Sequence, residues 1–210
     1  PLAADTGDAR LPLFPDAPAT AATTTRFVGA DRVVASAYGN TITYTPEYRA
    51  VRAFDGDLRT AWRANAYGDA RRQRIRIDLD RPITTDRVGL VQQLTGGHNR
   101  WIAAATLRFD GGSSVPVVLD DASHRAAGQV VRFPKRTFRS FEVTVDATTD
   151  GRTNLFGQSD AVGFAEIRLR DADGSPVRVG EVVVMPTDLT GALGSASAEH
   201  PLVILLRREA

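Results

Sequence analysis

Three stretches of the chain alternate strictly between apolar and polar residues: Arg74-Ile75-Arg76-Ile77-Asp78-Leu79, Phe141-Glu142-Val143-Thr144-Val145-Asp146 and Ala165-Glu166-Ile167-Arg168-Leu169-Arg170. A period of two puts every second side chain on one face, so each stretch reads as a half-buried antiparallel strand. Less regular strands are predicted at Val33 to Ser36, Arg87 to Gln92, Ala104 to Phe109, Val115 to Leu119, Gln129 to Phe133 and Val177 to Val184. Turn residues separate them at Asp110-Gly111-Gly112, Thr149-Asp150-Gly151 and Asp173-Gly174. The one short helical signal is Thr45-Pro46-Glu47-Tyr48, with proline in a first turn. Many short strands without a long helix or a repeat predict an all-β, antiparallel β-sandwich or jelly roll.

The ends read differently. Residues 1–30 are rich in Pro, Ala, Thr and Asp and suggest a linker or a strap over a surface. The strand texture occupies 31–171, and 172–210 reads as a C-terminal β extension toward a following domain. The chain opens at Pro1 and ends on the apolar run Leu202 to Leu206 followed by Arg207-Arg208, as a piece of a longer polypeptide would.

Composition narrows the chemistry. With no cysteine, disulfides, zinc–thiolate sites and cysteine nucleophiles are excluded, and His98, His124 and His200 form no His-x-x-x-His pair. A net charge of +1, from 26 basic and 25 acidic residues, gives no electrostatic footprint for nucleic acid. No apolar run approaches the roughly 20 residues that span a bilayer. Lys135 is the sole lysine, an arginine bias expected of a GC-rich genome.

Ala53-Phe54-Asp55-Gly56-Asp57-Leu58-Arg59-Thr60-Ala61-Trp62 crowds two carboxylates, a glycine and a threonine ahead of a large aromatic expected in the core. Such oxygens suit a hard cation, which takes six to eight of them. The same residues also make an ordinary acidic turn. Glycosidase-like use of Asp55 and Asp57 as a catalytic pair is less apt, and the chain has no Gly-x-Ser-x-Gly elbow and no phosphate-cradling glycine loop. The fragment itself is expected to be non-catalytic.

Taken in order, Ala53-Phe54-Asp55-Gly56-Asp57 through Trp62, the strand ending Ile77-Asp78-Leu79, Arg87-Val88-Gly89-Leu90, Leu107-Arg108-Phe109-Asp110-Gly111, Phe138 to Val143 and Gly163-Phe164-Ala165-Glu166-Ile167 resemble the discoidin, or coagulation-factor type C, family. That resemblance covers roughly residues 31 to 171. It implies a galactose-binding-like jelly roll of the kind found in many carbohydrate-binding modules. It further implies a structural Ca2+ held by the carbonyl of Ala53, the side chain of Asp57, the hydroxyl and carbonyl of Thr60, the carbonyl of Ala165 and the carboxylate of Glu166, with Asp55 capping the turn. The empty alternative has Asp57 bonded to Thr60 and backbone amides. Arg74 departs from the family, many of whose members carry a second aromatic there. The arginine-rich composition and the segment Val33 to Asn40 through Trp62-Arg63 are similar to discoidin-type modules attached to actinobacterial membrane arabinofuranosyltransferases. This implies an extracytoplasmic module of a membrane-anchored envelope protein, contacting glycan of arabinan type and other domains of its own chain, and meeting the membrane only through the parent protein.

In such a fold ligands meet the loops at one end. Those loops here carry Tyr38 and Asn40, then Asn65 and Tyr67, then His98, Asn99, Arg100 and Trp101, then Arg152 and Asn154. Aromatic faces cover the C–H side of a sugar, and Arg, Asn and His bond its hydroxyls. Trp101 can equally pack into the rim of the core, and Arg100 can pair with a neighbouring aspartate. A structural or protein-docking domain without glycan binding is the competing expectation.

Overall fold

The computed structural model describes residues 11–12, 22–39, 45–64, 68–95, 100–149 and 160–184. Within them run β1 (Leu11–Pro12), β2 (Ala22–Val28), β3 (Arg32–Ala35), β4 (Trp62–Ala64), β5 (Arg74–Gln92), β6 (Ile102–Phe109), β7 (Ser114–Val118), β8 (Gln129–Thr148), β9 (Val162–Arg168) and β10 (Gly180–Val184). Helical structure is limited to short 3-10 turns, among them Pro46–Tyr48, where Pro46 takes the first turn, Ala50–Ala53 and Asp121–His124. The chain is all-β and antiparallel, as its period of two predicts.

Two strands shape the sandwich by belonging to both of its layers. The first half of β5 pairs with β3 and with the second half of β8, which continues through β6 to β7. The second half of β5 pairs with the first half of β8 and with β9, and β9 carries β4. The register of β5 against β8 shifts between Asp78 and Ile83, where both strands bend from one layer to the other. The sequence divides each of these strands in two because Pro82 and Pro134 break the pattern. Pro82 lies in that shift and Pro134 in a second one, between Thr85↔Arg136 and Arg87↔Arg132, where a missing N–H costs no ladder bond.

The inward faces follow the predicted alternation in β5 (Ile75, Ile77, Leu79) and β8 (Phe141, Val143, Val145), joined by Leu107 from β6. By contrast β9, expected to be half-buried, is buried on both faces from Val162 to Ile167 because it lies under the turn before Trp62. Trp62 is fully buried as expected, with its ring 6.3 Å from that of Phe164 and its Nε1 donating to the Ala37 carbonyl at 2.9 Å. Phe109, Phe138 and Phe141 pack edge to face near the bends, with Phe109 at 5.0 Å from Phe138 and 5.4 Å from Phe141. Gly163 pairs with Arg63 where β4 crosses β9, and a Cβ on it would stand 1.8 Å from the Trp62 carbonyl oxygen.

The two extensions meet each other. β2, from the N-terminal side, pairs antiparallel with β10 from Val28↔Gly180 to Thr24↔Val184, and β1 lies on the far side of β2. Threonine-rich Ala22–Val28 has the β-branched content of a strand, but nothing local announces a partner some 150 residues away. The ribbon is tied to the sandwich: Val179 is buried and its N–H donates to the Phe54 carbonyl at 2.9 Å, and Arg49 pairs with Glu181.

Candidate functional site

β5 starts at Arg74 opposite Thr144, descends to its bend and returns to Gln92; β8 starts opposite Leu90, bends and returns to Thr148. The loops that the sequence marks for recognition therefore leave from one end of the sandwich, the end away from the bends. Their bases are bonded together. Gly39 N–H donates to the Arg63 carbonyl at 2.7 Å, joining the first loop to the second. The Arg63 guanidinium reaches Thr95 Oγ1 at 2.8 Å and lies 4.8 Å over the Tyr48 ring, joining the second to the third. Arg100 Nε donates to the Asp160 carbonyl at 2.6 Å, and Thr149 N–H to the Trp101 carbonyl at 2.8 Å, joining the third to the fourth.

The described residues of that end take different parts. Tyr38 is 8% exposed and belongs to the core. Arg100 is 6% exposed; burial lowers its pKa, which the nearby charges of Asp69 and Asp160 partly offset. Its Nε bond to the Asp160 carbonyl braces two loop bases. Trp101 is half-buried and stacks on His124, with centroids 3.9 Å apart and 20° between planes. His124 comes from the 3-10 turn Asp121–His124, which Asp120 caps through Ala122 N–H. Sequence reading gave His124 no role, and its one signal is an aspartate cap just ahead of it. Behind the pair, buried Gln92 donates to the Ile102 carbonyl and to Ser123 Oγ, each at 2.9 Å, and accepts from Ile102 N–H at 2.8 Å. Asn40, Asn65, Tyr67, His98, Asn99, Arg152 and Asn154 lie outside the described residues.

The acidic turn lies against β9. Asp55 is its centre: its carboxylate accepts from the Thr60 hydroxyl at 2.8 and 3.0 Å and from Asp57 N–H at 3.0 Å, so it caps the turn as expected. Asp57 faces outward. Its carboxylate accepts from Arg59 Nε at 2.9 Å, a second guanidinium nitrogen at 2.8 Å and the Arg59 N–H at 3.0 Å, and these bonds hold its pKa down to about 2. Glu166 is 4% exposed and accepts from Gly56 N–H at 3.0 Å. Burial, and then the charge of Asp55, push its carboxyl up to about 7. The pairing of β5 with β9 passes from Val91↔Glu166 to Gln92↔Phe164, which leaves Ala165 as a bulge residue beside the turn. Gly56 has φ +79°, and a Cβ there would meet the Arg178 side chain at 3.1 Å.

Among the described residues no three His, Asp or Glu side chains are arranged to hold a metal. The donor set is nonetheless all oxygen: the Asp55 and Glu166 carboxylates, the Thr60 hydroxyl and the Asp57 carbonyl, which Thr60 Oγ1 approaches at 2.9 Å. That chemistry fits a hard cation, although Arg52 lies 3.3 Å from Asp55 and the Arg178 side chain lies against Gly56.

The layered strands, the bends and the gathered end loops define an all-β, antiparallel sandwich. The chain belongs to the family described as Domain of unknown function (DUF7402), whose profile matches residues 28–169. Among solved structures it is similar to the arabinofuranosyltransferase AftD from Mycobacteria, at 21% identity and TM-score 0.62, over 88% of this chain and 14% of that one. The R1389S mutant of AftD gives the same identity and score over 86% and 14%. The chain thus spans about one seventh of the AftD length, and at this identity what is shared is the fold. A family 32 carbohydrate-binding module from C. perfringens NanJ, in complex with galactose, is similar at 16% identity and TM-score 0.43, over 69% of this chain and 90% of that one. No curated protein matches the chain.

Proposed function

We propose that this chain is a non-catalytic glycan-binding module whose ligand meets the loop end of the sandwich. The observation that carries this reading is the junction of four loop bases at one end, with the half-buried Trp101 ring fixed against His124 beside them. A ring held on both its backbone and its face loses little freedom on binding, so stacking under a sugar costs less there than on a mobile loop. The fold shared with part of an arabinofuranosyltransferase supports a furanose glycan of arabinan type, presented outside the cytoplasmic membrane for a glycosyltransferase in the same polypeptide. Single-site affinity for such shallow surfaces is on the order of millimolar to micromolar, and tethering supplies avidity. An array carrying arabinofuranosyl oligomers should show binding by the wild-type protein and weakening of about tenfold in Trp101→Ala. Binding to none of them by a folded protein would dismiss the reading.

The structural Ca2+ belongs to the same proposal, with Asp55 in place of Asp57 as the carboxylate that joins Glu166, Thr60 and the carbonyls of the turn. What supports it is the burial of one carboxylate beside another, an arrangement that a cation would relieve. Bound there, the ion would brace the turn against β9.

A second reading, a docking domain of a large envelope protein, is favoured by the β2–β10 ribbon. Val28, Val182 and Val183 are exposed on it, and consecutive residues of a strand face opposite ways, so apolar surface lies on both sides. Under that reading the protein ignores every glycan on the array.

A further inference from the structure

The end of the sandwich opposite the recognition loops carries a second surface. Two open grooves lie there, where β5 and β8 bend. One, of about 420 Å³, is walled by Phe109, Ser113, Pro134, Arg136 and Thr137. The other, of about 330 Å³, is walled by Thr84, Arg87, Arg170, Asp171 and Gly174. Lys135, the sole lysine of the chain, borders both, so the grooves form one band across the bends.

The charges of this band are unevenly matched. Arg136 is fixed in place: its guanidinium lies 4.4 Å over the Phe109 ring, Nε donates to the Pro134 carbonyl at 3.1 Å and one terminal nitrogen to Ser113 Oγ at 2.6 Å. Among the described residues it meets no carboxylate. Lys135 is exposed and has no hydrogen-bond or ion-pair partner among the described residues, and Arg170 bonds only the Gly174 carbonyl. The nearby carboxylates are already engaged. Asp171 accepts from Arg81 at 2.5 Å and from the N–H groups of Thr84 and Ala172 at 3.1 and 2.7 Å. Asp86 pairs with Arg87 at 2.7 Å and faces Arg132 at 3.8 Å, and Asp110 accepts from the N–H groups of Arg139 and Ser140. Lys135, Arg136 and Arg170 are left as the uncompensated charges along the band.

We propose that this band binds an extended, carboxylate-bearing oligosaccharide, a uronate-containing glycan, independently of the loop end. Spaced cations match the repeating carboxylates of such a chain, and an arginine fork held on an aromatic face is set to take one in two bonds. Ser113, Thr84 and Thr137 add hydroxyls along the walls for sugar hydroxyls. Nucleic acid fits less well, because Arg136 covers the Phe109 face on which a base would stack. A membrane fits less well because none of the exposed large apolar side chains lines either groove.

The test uses affinity electrophoresis and calorimetry with oligogalacturonate, the same oligosaccharide with its carboxyls reduced to alcohols, and vesicles rich in phosphatidylglycerol. The expected result is binding of the uronate only, weakened by added salt as exposed charge pairs are. Lys135→Ala should weaken it about fivefold, Arg170→Ala similarly, and Lys135→Arg should restore it. Trp101→Ala should leave it unchanged, which separates this surface from the loop end. Lys135 and Arg170 are exposed, so both variants should fold. No binding of oligogalacturonate, equal binding of the reduced form, wild-type binding by both alanine variants, or capture by the vesicles instead would each overturn the proposal.

Discussion

Glu166 and Asp55 show how much of this molecule is decided by single carboxyls. A carboxyl of ordinary pKa 4.5, raised to about 7 in the fold, is protonated in both folded and unfolded chains below 4.5. Between those values the unfolded chain releases its proton first, so the stability that Glu166 contributes is full below about pH 4.5 and is lost as pH rises through 7. In chelator, chemical denaturation should therefore give stability falling by on the order of 3 kcal/mol across that window. Glu166→Gln should flatten the fall. Calcium should raise the melting temperature more at pH 7.5 than at pH 5, because only the ionised pair has charge to be relieved. Asp55→Ala should abolish that response while Asp57→Ala, whose carboxylate is held outward by Arg59, leaves it intact; the reverse order would return the ion to the set that the family resemblance implies. The motif was plain in the sequence, but which of its two aspartates turns inward was not. That choice depends on the Arg59 fork and on Thr60, side-chain geometry that a string of residue types does not contain. The same limit applies to Arg100, for which the residue types leave a ligand contact and an internal partner both open, and which the structure places buried with its Nε on the Asp160 carbonyl.

At the scale of elements, the period of two located the strands because most, unlike β9, have one wet face and one dry face. It did not show that two pairs of predicted strands are single bent strands, since a proline within a run reads as an end. Nor did it show the β2–β10 ribbon, because pairing between distant segments leaves no local trace. Two measurements belong here. Gly163→Ala would drive a methyl into the Trp62 carbonyl and should cost more than about 2 kcal/mol in denaturant unfolding, with the β4–β9 edge losing amide protection first. Wild-type stability in that variant would mean that β4 does not cross β9 this closely. Cutting the chain after residue 171 would remove buried Val179 and its bond to Phe54, and should lower the melting temperature and loosen the acidic turn. A truncated protein as stable as the longer one would show that the C-terminal segment is an appendage rather than part of the sandwich.

As a whole molecule, the sandwich separates its tasks by position. One end gathers the loops, the bends at the other carry a cationic band, and the edge bearing β9 holds the acidic turn with the C-terminal segment drawn across it. The fold was legible from alternation and motif order together. The loop end was legible as a place where polar and aromatic loops gather, but residue types do not fix how those residues are buried. Titration with arabinofuranosyl oligosaccharides, followed by two-dimensional NMR of the wild-type protein, tests the central claim most directly. Binding should shift the indole N–H of Trp101 and the amides around His124, Arg100 and Gly39 at the loop end, while amides at the β5 and β8 bends stay still. Saturating sugar that moves none of the loop-end signals would contradict the account.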